Sequence, residues 1–396
     1  MEAAYLPPEI LLDIFHRLPA KSILACVCVS KYWLSLIKTP DFVSAHHFNQ
    51  QSAISSSSKP HPLFLLRLCV GSALVNRYSI HRDDRRFTHY AEIKPPSAIN
   101  NQSFSIVGSC QGLVCLMHDL YASNYTIILW NPSIGKTFAL PEPGVTFETH
   151  GGFEALLGFG FDSSTNDYKV VRVVRLLEYE EIAIEVEVFS LNAGSWKTIT
   201  STAPQYNIVE RGSQAFVNGS VHWVATRPGN DGGGDKNLIL GLDLKGEERF
   251  RELELPESLK LERAMFLTVC GYKESTIAVF KRPYFTEAES EIWVMEEYGA
   301  AESWVRLLTL GMYGGRLPRA LGFRGNGDML FELAGGEIVS GDPESFEIKE
   351  LGLWGEAGYS VVGSFMETLV LLDRSSGWTE IPTEPEFTFA QPNPRK

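Results

Sequence analysis

Two patterns of apolar and polar positions divide the chain. In the first 45 residues the apolar positions follow a helical period: Ile10, Leu11, Ile14, Phe15 and Leu18 make one face of a 3.6-residue repeat. Pro7 and Pro8 suit the start of that helix, where a missing N–H costs nothing, and Pro19 ends it. Ser22 is placed to cap a second helix running to Val29. Ser30 is placed to cap a third that carries Trp33, Leu36 and Ile37. Three helices this short cannot bury so much apolar surface among themselves, so a partner or the next domain must cover some of it.

From residue 63 onward the period becomes two. Residues 182–188 alternate Ile, Ala, Ile, Glu, Val, Glu, Val, and Asn218-Gly219 and Asn326-Gly327 are turn pairs that accept the positive φ of a tight hairpin. Hairpin turns centre near Gly112, Asp167, Gly219, Ser275 and Gly327, at steps of 55, 52, 56 and 52 residues. Two more strands follow each hairpin. A four-stranded unit repeating near 50 residues marks a kelch-like propeller blade. Five blades are expected over residues 104–351. A sixth is expected from the ends: a C-terminal hairpin of residues 359–363 with 367–372, completed by N-terminal outer strands at 74–80 and 87–93. The expected fold is therefore mainly β, a short three-helix N-terminal module followed by a six-bladed kelch-like β-propeller. The expected boundaries are 1–48 for the helical domain, 49–62 for a serine-rich linker, 63–380 for the propeller and 381–396 for a proline-rich tail.

Charge narrows the function classes. The net charge is −13; residues 1–59 carry five basic and four acidic residues, and the remainder thirty and forty-four. So acidic a body argues against nucleic acid as a partner. No apolar run reaches the roughly 18–20 residues that cross a membrane, and the first nine residues hold no basic residue of a signal peptide. A cytoplasmic or nuclear location is expected, with the six cysteines as plain thiols.

Residues 6–11 (LPPEIL), 14–22 (IFHRLPAKS) and 26–33 (CVCVSKYW) resemble a plant-type F-box. Residues 108–115 (GSCQGLVC), 129–132 (LWNP), 158–162 (GFGFD), 167–171 (DYKVV), 217–219 (VNG) and 222–223 (HW) resemble the F-box-associated domain found in the same proteins. Each fragment is weak alone, but their order and spacing together are specific. Ala25 and Cys26 depart from the pattern, where family members often carry Arg and an aromatic residue. The resemblance implies a non-catalytic substrate receptor. Its F-box docks on a Skp-type adaptor and, through it, a cullin–RING ligase; its distal domain holds a target protein for ubiquitination. The adaptor-binding residues are expected to be Leu6, Pro7, Ile10, Leu11, Ile14, Leu18, Val27 and Trp33.

Other chemistry is poorly supported. Cys110 and Cys115 flank a turn without two further ligands, and Cys26 and Cys28 lie on different faces of a helix, so no metal or other cofactor is expected. His46 and His47 read as surface residues. Glu185 and Glu187 share a strand face at a spacing that would suit paired carboxylates, but a solvated outer face is the simpler reading. The glycines of residues 232–234 sit between aspartates that would repel phosphate. A propeller enzyme would place acidic or histidine clusters on the inner strands, which here are apolar; a scaffold that binds without ubiquitination is the other alternative. Long loops fall between second and third strands and between blades. That face is the expected target surface, with Tyr206, Arg227, Arg282, Tyr284, Phe285, Tyr313 and Arg316 as its anchors.

Overall fold

A computed structural model describes residues 6–54, 62–71, 75–95, 104–119, 125–177, 183–199, 206–208, 213–229, 234–246, 248–273, 275–283, 289–312, 318–345 and 347–372. The chain opens with helices α1 (Pro8–His16), α2 (Ala20–Val27), α3 (Lys31–Ile37) and α4 (Pro40–Ile54). Pro7 occupies the N-cap of α1 with Pro8 inside its first turn, and the Ser30 hydroxyl accepts the Trp33 amide at 3.1 Å to cap α3. Ser22 does not cap α2. That helix begins two residues earlier, with Pro19 at its N-cap holding φ near the helical value in advance. The fourth helix was not foreseen and extends into the stretch read as linker.

Six antiparallel sheets follow, each wound from an inner to an outer strand. The first blade is β4 (Phe104–Cys110), β5 (Leu113–Asp119), β6 (Tyr125–Asn131) and β7 (Lys136–Ala139). The second is β8 (Phe153–Asp162), β9 (Asp167–Leu176), β10 (Ala183–Ser190) and β11 (Ser195–Thr198). In the third, the short β12 (Asn207–Ile208) and β13 (Gln214–Val217) both pair with β14 (Ser220–Arg227), ahead of β15 (Lys236–Asp243) and β16 (Phe250–Glu254). The fourth is β17 (Leu267–Tyr272), β18 (Thr276–Lys281), β19 (Ser290–Met295) and β20 (Trp304–Leu310); the fifth is β21 (Arg319–Phe323), β22 (Met329–Glu332), β23 (Glu337–Gly341) and β24 (Ile348–Trp354). Asn218 and Gly219 hold φ of 54° and 79°, the double positive φ expected of that turn.

The sixth blade closes differently from the expectation. Its inner strand is β25 (Val361–Phe365), which pairs directly with β1 (Leu63–Val70), followed by β2 (Val75–Arg82) and β3 (His89–Ile93). The register runs Leu63 against Phe365 and Arg67 against Val361. The N-terminus thus gives three strands rather than two. Residues 367–372 form no hairpin, because their apolar side chains are engaged elsewhere, as described below.

The blades pack face to face, so most strands are buried on both sides. Every residue of β9 except Arg175 is buried. Inner strands come close enough that only glycine fits: a Cβ on Gly158 would lie 2.3 Å from Trp223, and one on Gly160 2.4 Å from Phe216 of the next blade. The Trp223 indole donates to the Leu157 carbonyl at 2.8 Å, joining the third blade to the second. Glu187 is not on a solvated face. It is buried and paired with Arg172, and it accepts the Gly144 and Val145 amides, which satisfies a charge that would otherwise be costly to bury. In the turn of the second blade, burial opposes the Asp162 carboxylate. Hydrogen bonds from Ser164, Thr165 and Lys169 outweigh it and hold the pKa down to about 2. Arg324 and Asp83 form a second buried pair, at 2.7 Å, between the fifth and sixth blades.

Removing residues from Val361 onward takes away the inner strand of the sixth blade and leaves the edge of β1 unpaired at the ring axis. Such a truncation should aggregate or lose its cooperative melting transition in circular dichroism. A soluble truncated protein with the melting profile of the full chain would refute ring closure by this strand.

Candidate functional site

On the helical module, α1 divides its residues between two tasks. Leu11 and Phe15 are buried in a core with Ala20, Ile23, Ile37, Phe42 and Val43. Leu6, Ile10 and Ile14, spaced four apart, stay 48%, 49% and 42% exposed. Pro7 is exposed beside them. Four of the expected adaptor contacts are therefore free surface. Leu11 is not; it belongs to the core. Leu18, Val27 and Trp33 are half-buried and pack on that core, with the Trp33 ring 5.0 Å from Phe15 in an edge contact. Val29 and Tyr32, at 63% and 41% exposure, are further exposed apolar side chains of the helical module that were not singled out in the sequence.

The helical core is completed from the far end of the chain. Residues 366–372, following β25, form a strap whose Leu369 and Leu372 are buried in the helical core, while Leu371 is buried in the first blade. Polar groups fix the strap. The Asn131 side-chain amide donates to the Thr368 and Val370 carbonyls at 3.0 and 2.7 Å, and the Lys136 ammonium to the Leu372 carbonyl at 3.1 Å. A Cβ on Gly112 would lie 2.5 Å from the Met366 carbonyl oxygen, which accounts for glycine at that turn.

Helix α4 then docks on the same place. His46 and His47 are buried, contrary to the expectation of surface residues, because each finds a partner. His46 Nε2 lies 2.9 Å from the Leu18 carbonyl oxygen; His47 Nε2 lies 2.8 Å from Gln111 Oε1, and its Nδ1 3.3 Å from the Thr368 hydroxyl. Asn166 donates to Ser44 at 3.2 Å. Burial lowers the pKa of both histidines, so they are held neutral. Gln111, Asn131 and Thr368 were not recognised as site residues. Two of them lie in motifs that carry the family resemblance, but nothing local says they grip a distant strap.

These contacts all fall on the face made by the turns between first and second and between third and fourth strands. The opposite face, bearing the second-to-third and blade-to-blade connections, points away from the helices. There a cavity of about 430 Å³ opens on the ring axis, lined by the first residues of inner strands such as Ile106, Ala155, Thr268, Ala320 and Val361. Arg282 stands at its mouth. Tyr206 does not reach solvent: it is buried against Ala225, Leu238 and Leu240, and its hydroxyl donates to Glu252. Arg227 is bound by the Glu252 and Glu254 carboxylates. Tyr284, Phe285, Tyr313 and Arg316 lie outside the described residues. Among the described residues no group of three or more His, Cys, Asp or Glu is placed to hold a metal ion, and no helix is long and apolar enough to cross a membrane. Burial raises the Cys110 and Cys115 thiols, which stay protonated inside the first blade.

A closed propeller with a helical module clamped to one face, and an open funnel on the other, sets the class of architecture. The sequence comparisons agree with that class. Residues 69–323 match the F-box associated beta propeller domain, and residues 3–49 match the F-box-like family. The chain belongs to the F-box proteins with an F-box-associated propeller. Among its relatives in Arabidopsis thaliana, F-box protein At3g07870 is 28% identical over 87% of each chain. F-box/kelch-repeat protein At3g23880 is 27% identical over 77% of this chain and 79% of its own, and F-box protein CPR1 28% over 78% and 73%.

Two measurements test the clamp. Asn131→Ala leaves two strap carbonyls without donors and should destabilise the protein by roughly 2 kcal/mol, seen as a lower melting temperature. An unchanged temperature would mean that the apolar strap residues suffice. His46 and His47 have folded pKa values below the ordinary 6.5, so the unfolded chain binds protons first on acidification. Their contribution is complete above that value and is lost as the pH falls below it. Thermal melting should drop between pH 7 and about 5, and replacing both histidines by Gln should reduce the dependence, leaving the share of His16, His81 and His222, which burial also lowers.

Proposed function

We propose that this chain is the substrate-recognition subunit of a Skp–cullin–F-box ubiquitin ligase, bridging the adaptor to a target protein that is ubiquitinated and degraded. The observation that carries this reading is the stripe of Leu6, Ile10 and Ile14. It lies on a helix whose other face is already satisfied by its own core, and the fold leaves it uncovered. An uncovered apolar stripe inside an F-box-like segment fits an adaptor helix. Pro7 lies beside it, Val29 and Tyr32 add exposed apolar side chains to the same module, and Leu18, Val27 and Trp33 support the stripe from below.

The chemistry of ubiquitin transfer belongs to the RING subunit and its conjugating enzyme. This chain contributes proximity and orientation and is not itself an enzyme. The target takes the propeller face opposite the F-box, the face on which Arg282 lines the axial cavity. The working unit divides into an F-box that runs through α4 to Ile54 and a propeller that begins at Leu63, and it acts in the cytoplasm or nucleus.

The test is Ile14→Asp, which puts an unpaired charge in the stripe without touching the buried core. Adaptor affinity should fall by roughly 30- to 1000-fold in a pull-down or titration, with the melting temperature unchanged. Full adaptor capture by this variant would refute the assignment. Affinity purification with the ligase inhibited then identifies what the far face holds, and the target's half-life separates a receptor from a scaffold.

A further inference from the structure

The mouth of the axial cavity carries an unusual charge arrangement for so acidic a protein. Among the described residues its wall includes Lys281, Arg282 and Arg319 but a single carboxylate, Glu291. Two of the cations are engaged. Lys281 lies 2.7 Å from Glu262 and 3.9 Å from Glu291; Arg319 pairs with buried Glu332 at 2.7 Å and donates to the Ser360 carbonyl. Arg282 is different. Among the described residues it has no carboxylate within ion-pair distance, and its guanidinium donates only to the Met265 carbonyl, at 2.9 Å, with the Phe266 ring 5.9 Å away. Desolvation and the positive charge of Arg319 both disfavour its charged form. An anion placed between the two guanidiniums would relieve both terms at once.

A second feature adjoins it. A smaller cavity of about 240 Å³ lies in the groove between the fourth and fifth blades and shares Leu310 and Pro318 with the first. Its wall is mostly apolar, with Leu308, Phe331, Leu333 and Val339, and Met312 stands at its edge 58% exposed. Met265, on the rim of the axial cavity, is 59% exposed, and neighbouring Leu261 72%. Exposed methionines beside a dry groove suit a peptide side chain whose shape is not strictly fixed. The groove runs between the blades from Gly341, Asp342 and Pro343, at the turn between third and fourth strands, to Leu310 and Pro318 on the face where the axial cavity opens, directed away from the F-box.

We propose that this face binds an extended segment of the target protein, with an acidic side chain seated between Arg282 and Arg319 and a nearby apolar side chain in the groove between the fourth and fifth blades. The proposal deepens the receptor reading and rests on it. Charge complementarity selects the acidic residue; the adjoining groove selects its apolar neighbour.

The probe is a set of fluorescein-labelled peptides with one fixed Glu and one fixed Leu at increasing separations, and matched sets with Gln or Lys for the Glu and Ser for the Leu. Binding to the full chain is read by fluorescence anisotropy. The Glu–Leu set should bind at a preferred separation. The Gln and Ser sets should bind roughly tenfold more weakly or worse, and Glu binding should weaken with salt. Arg282→Glu should lose the Glu peptides and gain the Lys peptides, while adaptor capture stays at wild-type level, so failure here is distinct from failure of the F-box assignment. Arg282→Gln, a milder change, should lose the Glu preference without the reversal. Absence of binding by the Glu–Leu set, equal binding of the Gln set, or an undiminished Glu preference in both Arg282 variants would overturn the proposal.

Discussion

Everything in this molecule depends on one strand pairing, β25 against β1. It joins residues nearly 300 positions apart in the chain, with Leu63 opposite Phe365. Without it the ring has two free edges. With it, three N-terminal strands and one C-terminal strand make a blade no weaker in kind than the others, and the chain leaves that blade on the face where the helices lie. The strap of residues 366–372 is therefore delivered to the F-box as a consequence of closing the ring. Closure and clamping form one device: Asn131 and Lys136 of the first blade hold the strap's backbone, and the strap's Leu369 and Leu372 finish the helical core.

Much of this fold was legible because its signals are local. The Asn218-Gly219 turn, the Ser30 cap and the roughly 50-residue recurrence of four strands need only neighbouring residues to be read. The closing blade was misjudged for a physical reason. Residues 366–372 are Met-Glu-Thr-Leu-Val-Leu-Leu, a composition that any sheet would accept, and composition cannot say whether the apolar side chains meet a strand or a helix bundle. The same limit explains Glu187. Alternation assigns one face to solvent only when a sheet has a solvent face; sheets stacked radially have neighbours on both, so a charged residue at an alternate position can be buried, provided Arg172 and two amides meet it.

The sites divide along the same line. Ile10 and Ile14 stand out in the helical period and Leu6 in the family resemblance, but Leu11 could not be separated from them, since the sequence does not show which half of an apolar face the core takes. Tyr206 and Arg227 were picked for their residue types in a loop-rich region, and the structure gives both to Glu252. Arg282 lines the axial cavity, and among the described residues no carboxylate lies within ion-pair distance of it. His46 and His47 ran the other way: polar in sequence, yet buried, because the Leu18 carbonyl, Gln111 and Thr368 receive them. Polar residues whose partners lie far off in sequence look solvated until the fold is known.

The clamp also bears on how a receptor of this design would work. A helical module joined to a propeller only through the chain between α4 and β1 would sample many orientations, and a flexible tether raises local concentration without fixing direction. Here three kinds of contact remove that freedom: the strap's leucines in the helical core, the His47–Gln111 and Ser44–Asn166 hydrogen bonds, and the Thr368 hydroxyl of the strap against His47 Nδ1. The exposed stripe of Leu6, Ile10 and Ile14 belongs to the module held on one face of the ring, and the axial funnel opens on the other. Under the proposed reading, a target held at the funnel is presented in a set direction relative to the ligase, so which of its lysines come within reach is decided by the propeller's own packing rather than by the length of a linker.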